Sequence, residues 1–309
     1  MTNSTDDGHQ ETFENLVCST LPNELHAMWF TVAVNTFLSI AAFLGNSLIL
    51  AALHKETSLH PPSKLLYICL ATTDLCVGVI LQPGFVILLV SVIKGDKEFC
   101  YHILISSYVL GVIIFGVSLS TLTAISVDRL LALSLRLRYR QVVTLKRSRI
   151  VVALLWLLHI FVGSMYFWVH FIFLWYGYVQ ITVCILLSGF SYVRIYFILR
   201  RQRAQIRNRG HQERLYGGWS QPNVTVYRKS VSSSLWIQLT LVACYIPYGI
   251  HTALIAKYGL SPPIVLGGRF VSTLVYLNST LNPFLYCWKI REVRQAVKDT
   301  TRQLLCLFS

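Results

Sequence analysis

Long apolar runs separated by short polar, mostly basic segments dominate this chain. Seven runs reach about the ~20 residues that a helix needs to cross ~30 Å of hydrocarbon. They are Ala27–Leu53, Lys64–Ile93, His102–Leu135, Arg149–Trp168, Tyr178–Arg200, Ser230–Ala256 and Ile264–Trp288. Long uniform apolar runs favour helices over the alternating strands of a barrel, because a spanning segment must satisfy its backbone internally. The fourth and fifth runs are fused, since no Asp, Glu, Lys or Arg lies between Arg149 and Arg194. One helix there would run ~66 Å at ~1.5 Å per residue, about twice a bilayer. The stretch therefore predicts two helices joined by a very short turn within Val169–Gly177. The clusters "YFW" and "LWYGY" supply an interfacial aromatic belt there. The expected fold is all-α, a bundle of seven transmembrane helices.

Composition agrees. Of the 309 residues, 54% are hydrophobic and 13% charged, against about 25% charged in soluble proteins. The net charge of +14 is mostly a topology signal. Segments 54–64, 129–149, 194–229 and 289–302 hold 23 of the 27 Lys and Arg, leaving Lys94, Lys97, Lys257 and Arg269 opposite. Basic loops stay cytoplasmic, so the N-terminus is expected outside and the C-terminus inside, with no nucleic-acid partner. The chain divides into an extracellular N-terminal segment (1–26), the bundle (27–288) and an amphipathic helix with cytoplasmic tail (289–309). Residues 1–26 show no cleavable signal pattern, so the first span is expected to act as its own insertion signal. Asn3 in "NST" is a glycosylation candidate, and 200–223 reads as a polar linker.

After Trp288, apolar Ile290, Val293, Val297, Leu304 and Leu305 recur at helical spacing among basic residues. That suits an eighth helix lying on the inner leaflet of the lipid bilayer. Cys306 would be brought to the lipid and is a candidate for palmitoylation, or for prenylation through "CLFS".

Ionisable residues inside spans are functional candidates by default. Asp74 in "LATTDLCVG" is the only acid deep in a span, and Asn46, Ser118, Asn278, Ser279 and Asn282 could meet it. A protonated carboxyl that joins helices and a charged one that holds a small cation both fit. Asp128 and Arg129 sit where the third span meets the cytoplasm. A snorkelling helix end or a switch would explain them. Catalysis would need a second acid, a metal cluster or a nucleophile–base set, so no enzyme is expected. Pro83, Pro247 and Pro283 break helices inside spans. In "NPFLY" the break sits beside Asn282 and Tyr286, giving either static curvature or a bistable element.

Taken in order, "GN" at 45–46, "LATTD" at 70–74, "DRL" at 128–130, Trp156, Tyr192, "CYIP" at 244–247 and "NPFLY" at 282–286 place one motif in each span. This ordered set resembles the rhodopsin-like (class A) family of G-protein-coupled receptors. The resemblance implies a plasma-membrane receptor for an extracellular ligand, coupled to a heterotrimeric G protein, with arrestin and receptor kinases as further partners. Arg129 would pair with Asp128 at rest and then extend toward an inserted G-protein helix. Tyr192 and Tyr286 would converge on it as the sixth helix swings outward. Asp74, Ser118, Asn278 and Asn282 would form a sodium pocket that favours the resting packing, with Asp74 as the charged metal ligand and no other cofactor. A ligand would act by binding one packing more tightly.

The chain departs from the family pattern in several places. Leu130 replaces the usual Tyr of "DRY", and Tyr245 the usual Trp of "CWxP". "VYRKS" offers Arg228 and Lys229 and no acid, so the usual inter-helix ionic lock is absent. The fifth span has no Pro, and the fourth-to-fifth turn has no Cys to complete the family disulfide. Of eight cysteines only Cys18 and Cys100 fall outside the membrane on the oxidising side. The expectation is a Cys18–Cys100 bridge, with two free thiols as the alternative.

The third span has Gly111 where amine receptors place their Asp, and the seventh has Tyr276 near the retinal Lys of opsins. The pocket wall implied is Phe85, Phe115, Tyr176, Gln180, Tyr245, Tyr248, His251 and Tyr276. It is aromatic and nearly uncharged, which suits a neutral or amphipathic small molecule or a peptide. The pattern is nearest to melanocortin, cannabinoid and adenosine receptors and assigns no ligand. A transporter or channel with seven spans is the alternative, but polar residues along a pore and an inverted repeat are both missing.

Overall fold

Helix ends in this protein fall where capping side chains, glycine or charge interrupt the apolar runs. The computed structural model describes residues 16–19, 24–57, 59–167, 170–213, 224–259, 261–289 and 291–308. α1 (Leu25–Lys55) ends on Lys55, a cation suited to the negative end of a helix dipole. α2 (Pro61–Lys94) opens on Pro61, whose missing N–H costs nothing in a first turn. It stops at Gly95, which has φ 75°. α3 (Lys97–Leu135) begins after Asp96, whose carboxylate accepts the Phe99 N–H at 3.1 Å. Short turns at Arg136–Arg138 and Tyr139–Val142 lead to α4 (Leu145–Ser164), capped by Thr144. α5 (His170–Glu213), α6 (Val224–Tyr258), α7 (Pro262–Lys289) and α8 (Arg291–Phe308) complete the order.

The seven expected helices and the eighth are all present, and no strand occurs among the described residues. Among the described residues, five are long and apolar enough to cross a membrane: α1, α2, α3, the Tyr176–Arg201 part of α5 and the Pro262–Trp288 part of α7. α4 has 20 residues and spends its first turns on Lys146, Arg147 and Arg149. α6 contributes the apolar stretch Val242–Ile255.

Two boundaries differ from the sequence expectation. The turn between α4 and α5 comes early, because α4 ends at Ser164, one 3₁₀ turn spans Met165–Phe167, and α5 already holds His170. Gly177 thus lies within α5. A helical glycine costs about 1 kcal/mol, less than the several kcal/mol of an unsatisfied backbone group in hydrocarbon. α5 also continues to Glu213, into the expected linker, where Arg, Gln and Ala are good helix formers.

α3 is the central helix, packed against α2, α4, α5 and α6. α7 packs against α1, α6 and α8, and α8 also meets α1. One buried apolar cluster unites Leu70, Leu122, Ile125, Tyr245 and Tyr286, and another Met28, Val77, Phe85, Cys100 and Tyr276. Facing outward, Phe37, Leu157, Leu186 and Phe190 are 61–71% exposed. A water-facing surface would not carry so large an apolar belt, so the solvent at this height is lipid.

α2 carries a π-helical turn at Val77–Leu81, where the Gln82 N–H reaches back to the Val77 carbonyl. In that register the Gly78 carbonyl would await an N–H from residue 83, which is proline and has none. Ser39 of α1 donates to it instead at 2.7 Å. The approach is close, since a Cβ on Gly78 would stand 2.9 Å from the Phe43 nitrogen.

α3 and α4 meet as closely at Gly116, where a Cβ would lie 2.0 Å from Cδ2 of the fully buried His159. Gly116→Ala should therefore destabilise the bundle by about 1–3 kcal/mol, the usual cost of overpacking. Removing the ring with His159→Ala in the same chain should recover part of that loss. Thermal melts of the detergent-solubilised variants measure both effects.

Candidate functional site

Polar side chains gather at three depths of the bundle. At the basic end, α3 presents Asp128 and Arg129. Arg129 Nη2 binds Asp128 Oδ2 at 2.6 Å and donates to Ser63 Oγ at 2.5 Å. Ser63, in the first turn of α2, donates to Asp128 Oδ2 at 2.9 Å, and the Tyr139 hydroxyl donates to Asp128 Oδ1 at 2.7 Å. Both oxygens of the buried carboxylate are thus engaged, by α2, by Arg129 and by the turn after α3. His60 stacks on Tyr139 with ring centroids 5.0 Å apart. The sequence singled out Asp128 and Arg129 but missed Ser63, Tyr139 and His60. Their pairing depends on how the loops fold back, and no local pattern announces it.

The two tyrosines expected to converge on Arg129 are engaged elsewhere in this packing. The Tyr192 hydroxyl accepts from Ser126 Oγ at 3.2 Å. Tyr286 is buried edge-on against Tyr67, with ring centroids 5.7 Å apart. The side chains of Arg228 and Lys229 lie outside the described residues.

At mid-depth, the fully buried Asp74 accepts from Asn282 Nδ2 at 2.7 Å through Oδ2. Asn46 ties α1 to α7 by donating to the Ser279 carbonyl at 3.1 Å. Asp74 Oδ1, Asn278 Oδ1 and Asn282 Oδ1 are buried acceptors with no hydrogen-bond donor among the described residues. Ser118 is buried as well. A carboxylate, amide carbonyls and a hydroxyl are all oxygen donors, the chemistry that suits a small hard cation.

In the outer half, the expected pocket wall divides. Tyr276 lies between Phe85 and Phe115, with ring centroids at 5.4 and 5.7 Å. Tyr245 is buried and Tyr248 partly so in the apolar cluster that Phe115 also touches. Tyr176 and Gln180 turn toward α4, where His159 Nδ1 donates to the Leu155 carbonyl at 2.7 Å. His159 Nε2 then accepts from Gln180 Nε2 at 2.8 Å and from the Tyr176 hydroxyl at 3.1 Å. His251 Nε2 meets the Ile264 carbonyl at 2.8 Å, linking α6 to the start of α7.

The outer end is strapped. Cys18 and Cys100 form a disulfide with a Cα–Cα distance of 6.0 Å, fastening the segment before α1 to the first turn of α3. Arg269 of α7 pairs with Glu24 at 2.9 Å and donates to the Val17 carbonyl at 3.4 Å. Both cysteines belong to the apolar cluster that holds Phe85 and Tyr276. Asn3 lies outside the described residues. Cys306 lies in α8, but its side chain is outside them too.

Known proteins are similar in sequence to this chain over most of its length. Residues 45–171 match the family described as "7 transmembrane receptor (rhodopsin family)". Over 295 residues the chain is 24% identical to Adenosine receptor A3 of Ovis aries, covering 85% of this chain and 87% of that protein. Over 319 residues it is 23% identical to Adenosine receptor A2a of Canis lupus familiaris, covering 89% of this chain and 72% of that one.

His60 precedes the first turn of α2. Burial lowers its pKa below the ordinary 6.5, against the opposing pull of Asp128, with Arg140 and Arg129 lowering it further. The unfolded chain therefore takes up a proton that the folded loop resists, and stability falls as pH drops through 6.5. The melting temperature should decline between about pH 7.5 and about pH 5.5, the range in which histidine titrates. His60→Phe, which keeps the ring on Tyr139, should flatten part of that decline in parallel melts.

Proposed function

We propose that this chain, a member of the rhodopsin-like (class A) family of seven-transmembrane receptors, relays an extracellular ligand signal to a heterotrimeric G protein through the Asp128–Arg129 pair. The observation that carries the reading is the closed network at the basic end of α3. There Asp128 is held by Ser63 and Tyr139, and itself holds Arg129. Rupture of that network frees a guanidinium to meet a G-protein helix. A charge-assisted pair of this kind is a two-state contact that a ligand can bias. With the N-terminus outside and the basic loops inside, arrestin and receptor kinases would meet the same cytoplasmic face. Palmitate on Cys306 would pin α8 to the inner leaflet.

Sodium supports the resting packing in this reading. Asp74, Ser118, Asn278 and Asn282 would hold it, and the ion would supply the charge that the buried carboxylate and amide oxygens otherwise lack. The ligand is a neutral or amphipathic small molecule, because Phe85, Phe115 and Tyr276 form an aromatic wall without charge. The relatives named for adenosine make nucleosides a reasonable first screen.

Arg129→Ala should cut nucleotide exchange on the purified G protein about tenfold or more, as expected for a charged hydrogen bond worth ~1.5–3 kcal/mol. Surface expression should stay near that of the parent, and unchanged exchange would refute the switch. For the cation, replacing sodium with choline should raise basal exchange in the parent. Asp74→Asn should be indifferent to the same replacement. A parent equally indifferent to sodium ends the cation reading.

A further inference from the structure

One amide stands apart from every interaction above. Gln82 of α2 is fully buried, and neither Oε1 nor Nε2 has a hydrogen-bonding partner among the described residues. A carboxamide offers two donors and an acceptor, and buried ones are nearly always paired. Inside a span, lipid supplies no substitute. The backbone shows how Gln82 comes to be there. The π turn at Val77–Leu81 adds one residue to the helical circuit, rotating the outer part of α2 by about 100° relative to an unbroken helix. Gln82 is thereby placed on the buried face with Phe85 and Leu89. Pro83 comes next, so the helix cannot close back to its regular ladder at that point.

The surroundings of this amide are those of the ligand wall. Phe85 stands one turn further out on the same face, and its ring lies 5.4 Å from Tyr276. On the other side, the Ser39–Gly78 bond sets the register of antiparallel α1 and α2. One turn outward, that register brings Gln82 level with Asn35. Asn35 is also fully buried and donates to Thr273 of α7 at 2.9 Å, while its Oδ1 has no donor among the described residues. Among the charges at the outer end, Glu24 and Arg269 neutralise each other.

We propose that Gln82 is the polar anchor of the ligand site and pairs with the donor–acceptor edge of a neutral carboxamide or lactam. Phe85, Tyr276 and Phe115 take the ligand's apolar body. This rests on the small-molecule reading above and narrows it to one chemical class. A hydrocarbon would leave both amide atoms unpaired, and a site built to hydrogen-bond rejects ligands that lack the matching groups. A charged ligand would find no counter-ion in the wall.

Benzamide and isopropylbenzene test the proposal, because they match in size and differ in the amide. The full-length chain is purified in detergent, and its melting temperature is followed against each compound, for the parent and for Gln82→Met and Gln82→Leu. Benzamide should stabilise the parent with an apparent affinity at least about tenfold tighter than isopropylbenzene, the equivalent of ~1.4 kcal/mol. That preference should vanish in Gln82→Met. Without any compound, Gln82→Met should melt at or above the parent temperature, because it removes an unpaired buried amide. Four results would overturn the proposal. If Gln82→Met keeps the benzamide preference, the amide is not the anchor. If both variants melt well below the parent or lose the monodisperse species, the amide is satisfied within the fold. If the parent answers both compounds alike, Gln82 loses its role while the small-molecule reading survives. A parent that answers neither removes both readings, and none of these outcomes depends on coupling through Arg129.

Discussion

Hydrocarbon offers no hydrogen bonds, so each backbone amide in a span must find its partner inside the protein. Two departures from a regular helix show how that constraint is met. Pro83 leaves the Gly78 carbonyl short of a donor, and Ser39 supplies one from α1. That contact needs the two backbones to approach, which is why residue 78 has no side chain. Pro283 leaves the Ser279 carbonyl of α7 without its usual donor, and Asn46 of α1 supplies one at 3.1 Å. A break in one helix thus becomes a bond to another, and the irregular points of the bundle are its joints.

The same constraint sorts the buried polar groups into two kinds. Some are saturated, and these hold the fold in one arrangement. His159 engages both ring nitrogens, with Leu155 on one side and Gln180 and Tyr176 on the other. Others keep an atom in reserve, as Asp74, Asn278 and Gln82 do. A buried group in reserve is costly, and it marks a place where binding can do more than packing alone. Saturated groups resist change, whereas reserved ones give a ligand or an ion something to act on.

The sequence made the helices legible and the joints much less so. Seven apolar runs and the side preference of Lys and Arg suffice for the bundle, because length and charge act locally. The α4–α5 turn was misplaced because aromatic clusters mark an interface without marking which residue leaves the helix. The DRL and NPFLY residues were found by resemblance, but Ser63, Tyr139 and His60 were not. A contact between residues as far apart in the chain as Ser63 and Asp128 leaves no periodic trace. Tyr176 and Gln180 were expected on one wall with Phe85 and Tyr276. The structure turns them toward His159 because Gly116 makes room there. Gln82 was passed over because a single Gln beside Pro reads as a helix irregularity.

The strap at the outer end gives the bundle a fulcrum. Cys18 is bonded to the top of α3, and Glu24, at the head of α1, is paired with Arg269 near the top of α7. These three helices therefore share a fixed point at one face, while the inner end of α3 is held by side-chain contacts to Ser63 and Tyr139. A rod held at one end turns a small displacement near the pivot into a larger sweep at the far end, in proportion to its length. α3 spans 39 residues from its first to its last helical turn, or roughly 58 Å at ~1.5 Å per residue. An ångström of adjustment close to the disulfide would thus be magnified by the time it reaches Arg129, and stiffness at the top becomes leverage at the bottom.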